Sequence, residues 1–241
     1  LDGDRFEPIK RFATRFALHG GPKYSPDGRY VYFASRDGWV SKFDIYNLKY
    51  IAEIRAGINT RNLAVSGDGR FVLFSSSSDD VVAGDTNGQL DVFLRDTVTG
   101  TTTRVSVEAD GTQLASNGTV FGARSAAVSD DGRMVVFSDF SDASGGSPFT
   151  FDAFAKNLET GAVTLVSPTA AGTGANASAL VTGLSGNGRF VTFTSSASNL
   201  VTDGNGVEDI FVKDLRTGAI QRVSQSGSTE ANGASSGGAL S

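Results

Sequence analysis

The chain of 241 residues contains no cysteine and only one histidine, one methionine and one tryptophan. The lack of cysteine excludes disulfides, thiolate metal sites and a cysteine nucleophile. No apolar run reaches 18 residues, so no transmembrane helix and no membrane partner are predicted. In contrast, glycine and phenylalanine are abundant, with 30 and 17 residues, and the apolar content is 39%. This composition is typical of a turn-rich β protein with a substantial core.

One short motif occurs four times and organises the chain. Each copy reads Ser-x-Asp/Asn-Gly-Arg followed by an apolar run, and the copies begin at Ser25, Ser66, Ser129 and Ser185. Asp or Asn followed by Gly favours a tight hairpin turn, and the apolar run favours a buried strand. If the repeated units form a ring, the carboxylates at this turn position lie far apart and cannot act as a pair. We therefore expect each carboxylate to cap its own turn, with the arginine of the motif as its partner.

The strand pattern around each motif predicts an all-β fold. Four short strands joined by hairpins are typical of a β-propeller blade. We expect four complete four-stranded antiparallel blades, and a fifth assembled from residues 1–12 and 235–241, within one domain spanning 1–241. An alternative is that the open blade edges associate with a second copy of the chain.

Charge is unevenly distributed along the chain. Residues 1–65 hold 11 Lys and Arg against 7 Asp and Glu, net +4, whereas residues 66–241 hold 10 against 19, net −9. The overall charge of −5 disfavours a nucleic-acid partner. This change in charge predicts that the chain combines two segments of different origin, which join near residues 62–70.

Several segments before the join carry a family resemblance. They are Leu1-Asp2-Gly3-Asp4, Phe16-Ala17-Leu18-His19-Gly20, Ser35-Arg36-Asp37 and Glu53-Ile54-Arg55-Ala56-Gly57-Ile58 with Arg61. On these segments, residues 1–65 resemble the d-haem propeller of cytochrome cd-type nitrite reductases and the related proteins of haem biogenesis. The resemblance implies that His19 is an axial iron ligand and that Arg36 and Arg61 lie near the haem carboxylates. Because no second histidine is present, a nitrite reductase is not expected, and His19 is interpreted as a vestige without cofactor.

The remainder of the chain resembles a different group of propellers. The motifs that carry this resemblance are Ser66-Gly67-Asp68-Gly69-Arg70, the segments 85–93 and 203–211, and Lys213-Asp214-Leu215-Arg216-Thr217-Gly218. They are similar to TolB-like, WD-repeat-like propellers, which implies a non-catalytic interaction module. Both families are mainly periplasmic or exported, but the compartment of this chain is left open.

Two loops also match part of a calcium-binding pattern. Asp85, Asn87 and Asp91 in one loop, and Asp203, Asn205 and Asp209 in another, place oxygen ligands at alternate positions. The bidentate glutamate that closes a full calcium loop is missing. The competing interpretation is an Asx-stabilised hairpin whose last aspartate begins the next strand.

The sequence as a whole therefore predicts a propeller scaffold that is not an enzyme and binds no cofactor. Its origin is predicted to be an engineered hybrid of two propeller families without retained activity. The first alternative is a d-type haem protein that uses His19, Arg36 and Arg61. The second is a calcium-dependent interaction module that uses the two aspartate-rich loops.

Overall fold

A computed structural model describes residues 13, 17–18, 21–58, 60–113, 124–140, 150–168, 172–201, 206–226, 229–231 and 233–237. All regular secondary structure among these residues is β, in four sheets of four antiparallel strands and one sheet of two strands. No helix long and apolar enough to cross a membrane occurs in this part of the chain. The predicted all-β architecture of four-stranded blades is confirmed.

Each four-stranded sheet is one blade whose strands neighbour each other in chain order. Blade 1 comprises β1 (Lys23–Tyr24), β2 (Tyr30–Ala34), β3 (Trp39–Asp44) and β4 (Lys49–Arg55). Blade 2 comprises β5 (Arg61–Val65), β6 (Phe71–Ser76), β7 (Asp91–Asp96) and β8 (Thr102–Arg104). Blade 3 comprises β9 (Arg124–Val128), β10 (Met134–Asp139), β11 (Asp152–Asn157) and β12 (Val163–Leu165). Blade 4 comprises β13 (Ala179–Leu184), β14 (Phe190–Ser195), β15 (Asp209–Asp214) and β16 (Ile220–Arg222).

A two-stranded sheet follows blade 4 and consists of β17 (Gln225–Ser226) and β18 (Thr229–Glu230). The predicted fifth blade combines residues 1–12 with residues 235–241, and of these only 235–237 are among the described residues. That blade therefore stays a prediction, as do the single domain and the join near residues 62–70.

The repeated motif forms the turn between the first two strands of every blade. In blade 2, Ser66 Oγ donates a hydrogen bond to Asp68 Oδ1 (2.6 Å), which also accepts one from the Arg70 N–H (2.9 Å). The Phe71 N–H closes the turn by donating to Ser66 Oγ (2.9 Å). The predicted capping role of the motif carboxylate agrees with these contacts.

The partner of the motif arginine differs from the prediction in three blades. Arg70 forms a bidentate pair with Asp96 at the end of β7, with distances of 3.0 and 2.6 Å. Arg29 and Arg189 bond to the equivalent Asp44 and Asp214. The Arg70 hydrogen bond holds the pKa of Asp96 well below its usual range. The arginine therefore joins the second and third strands, because these strands are adjacent at the turn.

The core lies between successive blades. Three clusters of buried apolar side chains each combine residues of two neighbouring blades. Blades 2, 3 and 4 each contribute a pair of phenylalanines with ring centroids 5.3 to 5.8 Å apart, and the pairs are Phe74–Phe93, Phe137–Phe154 and Phe193–Phe211. Burial of apolar faces between blades is what lets four-stranded units stack.

We expect Gly132→Ala to destabilise the fold by about 2–5 kcal/mol. Gly132 has a φ of 70°, and a Cβ there would lie 2.2 Å from the Phe71 ring of the preceding blade. The left-handed backbone costs alanine about 1–2 kcal/mol, and the overlap adds about 1–3 kcal/mol. Urea denaturation of both variants checks this against Gly218→Ala, where φ is 79° and a Cβ would meet nothing within 4 Å. Equal losses in the two variants would contradict the packing role.

Candidate functional site

The topology places the candidate residues at one end of the blades. Neighbouring strands run in opposite directions, so the starts of the first and third strands lie at the same end as the finish of the second. Arg36 follows β2, Arg61 begins β5, and Asp91 and Asp209 begin β7 and β15. We call this end the loop face. The Ser-x-Asp/Asn-Gly-Arg turns lie at the opposite end.

The described backbone brings Arg36 next to the segment that leads to His19. Leu18 forms an antiparallel bridge with Ser35, and the Arg36 N–H donates to the Ala17 carbonyl (3.1 Å). The Arg36 side chain is exposed. His19 lies outside the described residues, and of Arg61 only the backbone is described, paired with Ser75. The haem-ligand prediction for these three residues stays a prediction.

The first aspartate-rich loop closes on an arginine of the outermost strand. Arg104 Nη1 lies 3.2 Å from Asp85 Oδ1 and 3.9 Å from Asp91 Oδ2. Ser106 Oγ donates to Asp91 Oδ1 (2.5 Å), and Gln113 Nε2 donates to Asp85 Oδ1 (3.1 Å). All three charged side chains are at most 11% exposed. The guanidinium thus lies where a cation bound by these carboxylates would lie.

Blade 4 repeats this arrangement at Asp209. Arg222 Nη1 lies 3.2 Å from Asp209 Oδ2, and Ser224 Oγ donates to Asp209 Oδ1 (2.6 Å). Asp203 and Asn205 lie outside the described residues. Asn87 in blade 2 accepts a hydrogen bond from the Gln89 N–H (3.0 Å), as expected of an Asx turn.

The sequence reasoning missed the arginines, although a signal was present. Thr103-Arg104-Val105-Ser106 and Gln221-Arg222-Val223-Ser224 occupy equivalent positions, and blade 3 has Thr164-Leu165-Val166-Ser167. The arginine thus occurs in the two blades that carry the aspartate-rich loop and is replaced by leucine in the blade that lacks it.

Burial shifts the pKa of the Asp91 carboxyl. Desolvation raises its pKa above the usual value, and the nearby Asp85 charge adds to the effect, whereas the Ser106 hydrogen bond opposes it. No hydrogen-bond donor among the described residues reaches Asp91 Oδ2. No group of three or more histidine, cysteine, aspartate or glutamate residues suited to a metal ion occurs in the described part of the chain. The calcium site stays a prediction, and the contacts observed are those of an internal ion pair.

Blade 3 has a second buried acid at the loop face. Asp139 at the end of β10 lies opposite Asp152, whereas blades 2 and 4 place Ser76 and Ser195 at the equivalent position. Burial raises the pKa of Asp139 to about 7, despite a hydrogen bond of 2.7 Å from the Phe140 N–H. A carboxyl in this environment is neutral over part of the physiological range.

Comparison with solved structures first defines the class of fold. TolB from Acinetobacter baumannii superposes with a TM-score of 0.52 at 18% identity, over 88% of this chain and 44% of that chain. The Cps50 (Swd1) β-propeller domain of Myceliophteria thermophila superposes with a TM-score of 0.52 at 13% identity, over 86% of this chain and 58% of that chain. These similarities establish the β-propeller fold.

Sequence comparison then adds a specific relationship for the first third of the chain. Residues 1–82 match the family model of the cytochrome D1 heme domain. Dihydro-heme d1 dehydrogenase of Pseudomonas aeruginosa is 78% identical over 73 residues. The match covers 30% of this chain and 15% of that protein, so the chain spans only a small part of this relative. The resemblance to two groups of propellers is confirmed.

These matches correct three predictions. The inert engineered scaffold, the absence of enzymatic function and the absence of a cofactor, haem d included, are wrong. Residues 1–82 match the haem d1 domain model, and a named dehydrogenase is 78% identical over 73 residues. The error arose because the lack of a second histidine was taken to count against any haem. One axial imidazole is sufficient to hold a haem iron, so a single histidine does not argue against binding.

Proposed function

We propose that this chain contributes the substrate-binding propeller of an oxidoreductase that acts on a d1-type haem. The observation that carries the proposal is the identity of 78% over 73 residues with dihydro-heme d1 dehydrogenase. The match to the haem d1 domain over residues 1–82 supports it. The molecule to be bound is therefore an iron tetrapyrrole with carboxylate substituents.

The residue types in this segment suit such a ligand. The His19 imidazole would coordinate the iron, and the guanidinium groups of Arg36 and Arg61 would pair with carboxylates. Arg36 is exposed at the loop face and its backbone bonds to Ala17, two residues before His19. The net charge of +4 in residues 1–65 favours an anionic ligand. Dehydrogenation would remove two electrons and two protons from the bound substrate, so it needs an acceptor outside this site.

Titration of the purified chain with haem d1 tests the proposal. We expect a saturable shift of the visible absorbance bands that His19→Ala removes, because the axial imidazole sets the ligand field of the iron. Arg36→Ala should retain the shifted spectrum but weaken binding about tenfold, which corresponds to about 1.4 kcal/mol.

Arg216→Ala is the matched control, because Arg216 is an exposed arginine of blade 4. It should bind haem d1 like the unmodified chain, and all three variants should unfold at the same temperature. A titration without saturation, or identical spectra with and without the His19 imidazole, would refute haem ligation by His19.

A further inference from the structure

The three junctions between successive blades share one contact. The turn glycine of each later blade lies over the first residue of the second strand of the blade before it. A Cβ built on Gly69 would meet the Tyr30 ring at 3.4 Å, one on Gly132 the Phe71 ring at 2.2 Å, and one on Gly188 Met134 Cβ at 3.0 Å. A side chain on β2, β6 or β10 thus fits against a glycine that leaves room for it.

Blades 1 and 4, the first and last described blades, each contain one of the two residues of this contact without the other. Gly28 in blade 1 is the equivalent turn glycine, with a φ of 69°, and a Cβ there would meet nothing within 4 Å. Phe190 in blade 4 is the equivalent first residue of β14, is half-buried, and has no described four-stranded blade after it. Phe190 of the same chain does not occupy the space over Gly28.

Burial at the two end faces is also incomplete. Tyr24 in β1 is 60% exposed. The equivalent residues of the later blades are less exposed, since Val65 is half-buried and Val128 and Leu184 are each 8% exposed. On the outer face of blade 4, Ile210 and Val212 are half-buried. Their blade 2 equivalents, Val92 and Leu94, are 0% and 6% exposed. Blades 1 and 4 therefore each expose apolar side chains at positions that are more buried in the other blades compared.

We propose that blade 4 of one copy stacks on blade 1 of a second copy, with Phe190 against Gly28. The contact would continue the interface already formed three times inside the chain. It is head-to-tail, so two copies with two such junctions can close a ring. Counting the described four-stranded blades of both copies, that ring would contain eight, at the upper end of the range common for propellers.

Sedimentation equilibrium of the 241-residue chain tests the assembly. We expect a mass of twice 25.0 kDa. Phe190→Asp places a charge in the apolar contact. Gly28→Asn fills the space required by Phe190, while asparagine tolerates the left-handed backbone. Each variant should raise the dissociation constant of the dimer about tenfold or more.

Gly218→Asn is the matched control, because Gly218 has a φ of 79° and equally open surroundings. It should remain dimeric. Mixing the two interface variants gives the sharpest result, since a mixed dimer has one junction in which both original residues meet. Dimers should therefore reappear in the mixture, which a merely misfolded variant cannot produce. A monomeric native chain, or variants that stay dimeric, would overturn the proposal.

Discussion

Replacement of Phe137 by alanine is expected to lower the free energy of unfolding by about 3–5 kcal/mol. Phe137 is 0% exposed and its ring lies 5.8 Å from that of Phe154. Both rings belong to the cluster between blades 2 and 3, to which Leu73 and Leu94 of blade 2 also contribute. Truncation leaves a cavity at the centre of this contact, and neighbouring strands restrained by hydrogen bonds cannot fill it. Guanidinium denaturation monitored by circular dichroism measures the loss.

Val98→Ala provides the comparison, because Val98 is 74% exposed in a turn of blade 2. Its loss should stay within about 0.5 kcal/mol. Should Phe137→Ala cost less than about 1 kcal/mol, the stacking of blades 2 and 3 would not depend on the buried phenylalanines. A second unfolding transition in this variant would indicate that the blades on either side of the junction unfold separately.

The blade pattern was predictable from sequence because its determinants are local. The turn requires a left-handed backbone, which a glycine such as Gly69 adopts readily. The apolar run after Arg70 favours a single buried strand. The contacts made by the turn serine and aspartate span at most five residues. Local rules therefore gave the strands and the turns of all four blades.

The candidate sites were less predictable, because their contacts join distant residues. Arg70 meets Asp96 and Arg104 meets Asp85 only after the strands have paired. The acidic loop alone matched part of a calcium pattern, and the arginine that neutralises it lies 19 residues later in the sequence. Asp139 likewise carries no local signal, since its pKa depends on burial against the neighbouring strand.

Replacement of Arg104 by leucine is expected to destabilise the chain by about 3–5 kcal/mol at pH 7, because it leaves Asp85 and Asp91 as buried acids without their cation. Leucine is a natural occupant of this position, since blade 3 has Leu165 there. Placing Arg104→Leu in an Asp85→Asn/Asp91→Asn background should cost much less, because the buried negative charges are then absent. Thermal unfolding of the four variants in this cycle measures the coupling energy.

The defect of Arg104→Leu should also depend on pH in a defined direction. Desolvation already raises the pKa of Asp91 in the native state, and loss of the guanidinium raises it further. The native state then holds a proton that the unfolded chain releases near its ordinary pKa of 3.8, so stability falls as pH rises above about 4. The variant should therefore approach the stability of the unmodified chain at pH 4 and fall behind it by pH 7. A defect of equal size at both pH values would show that Arg104 acts through the packing of its aliphatic stem, and that the acidic loop is not held by charge.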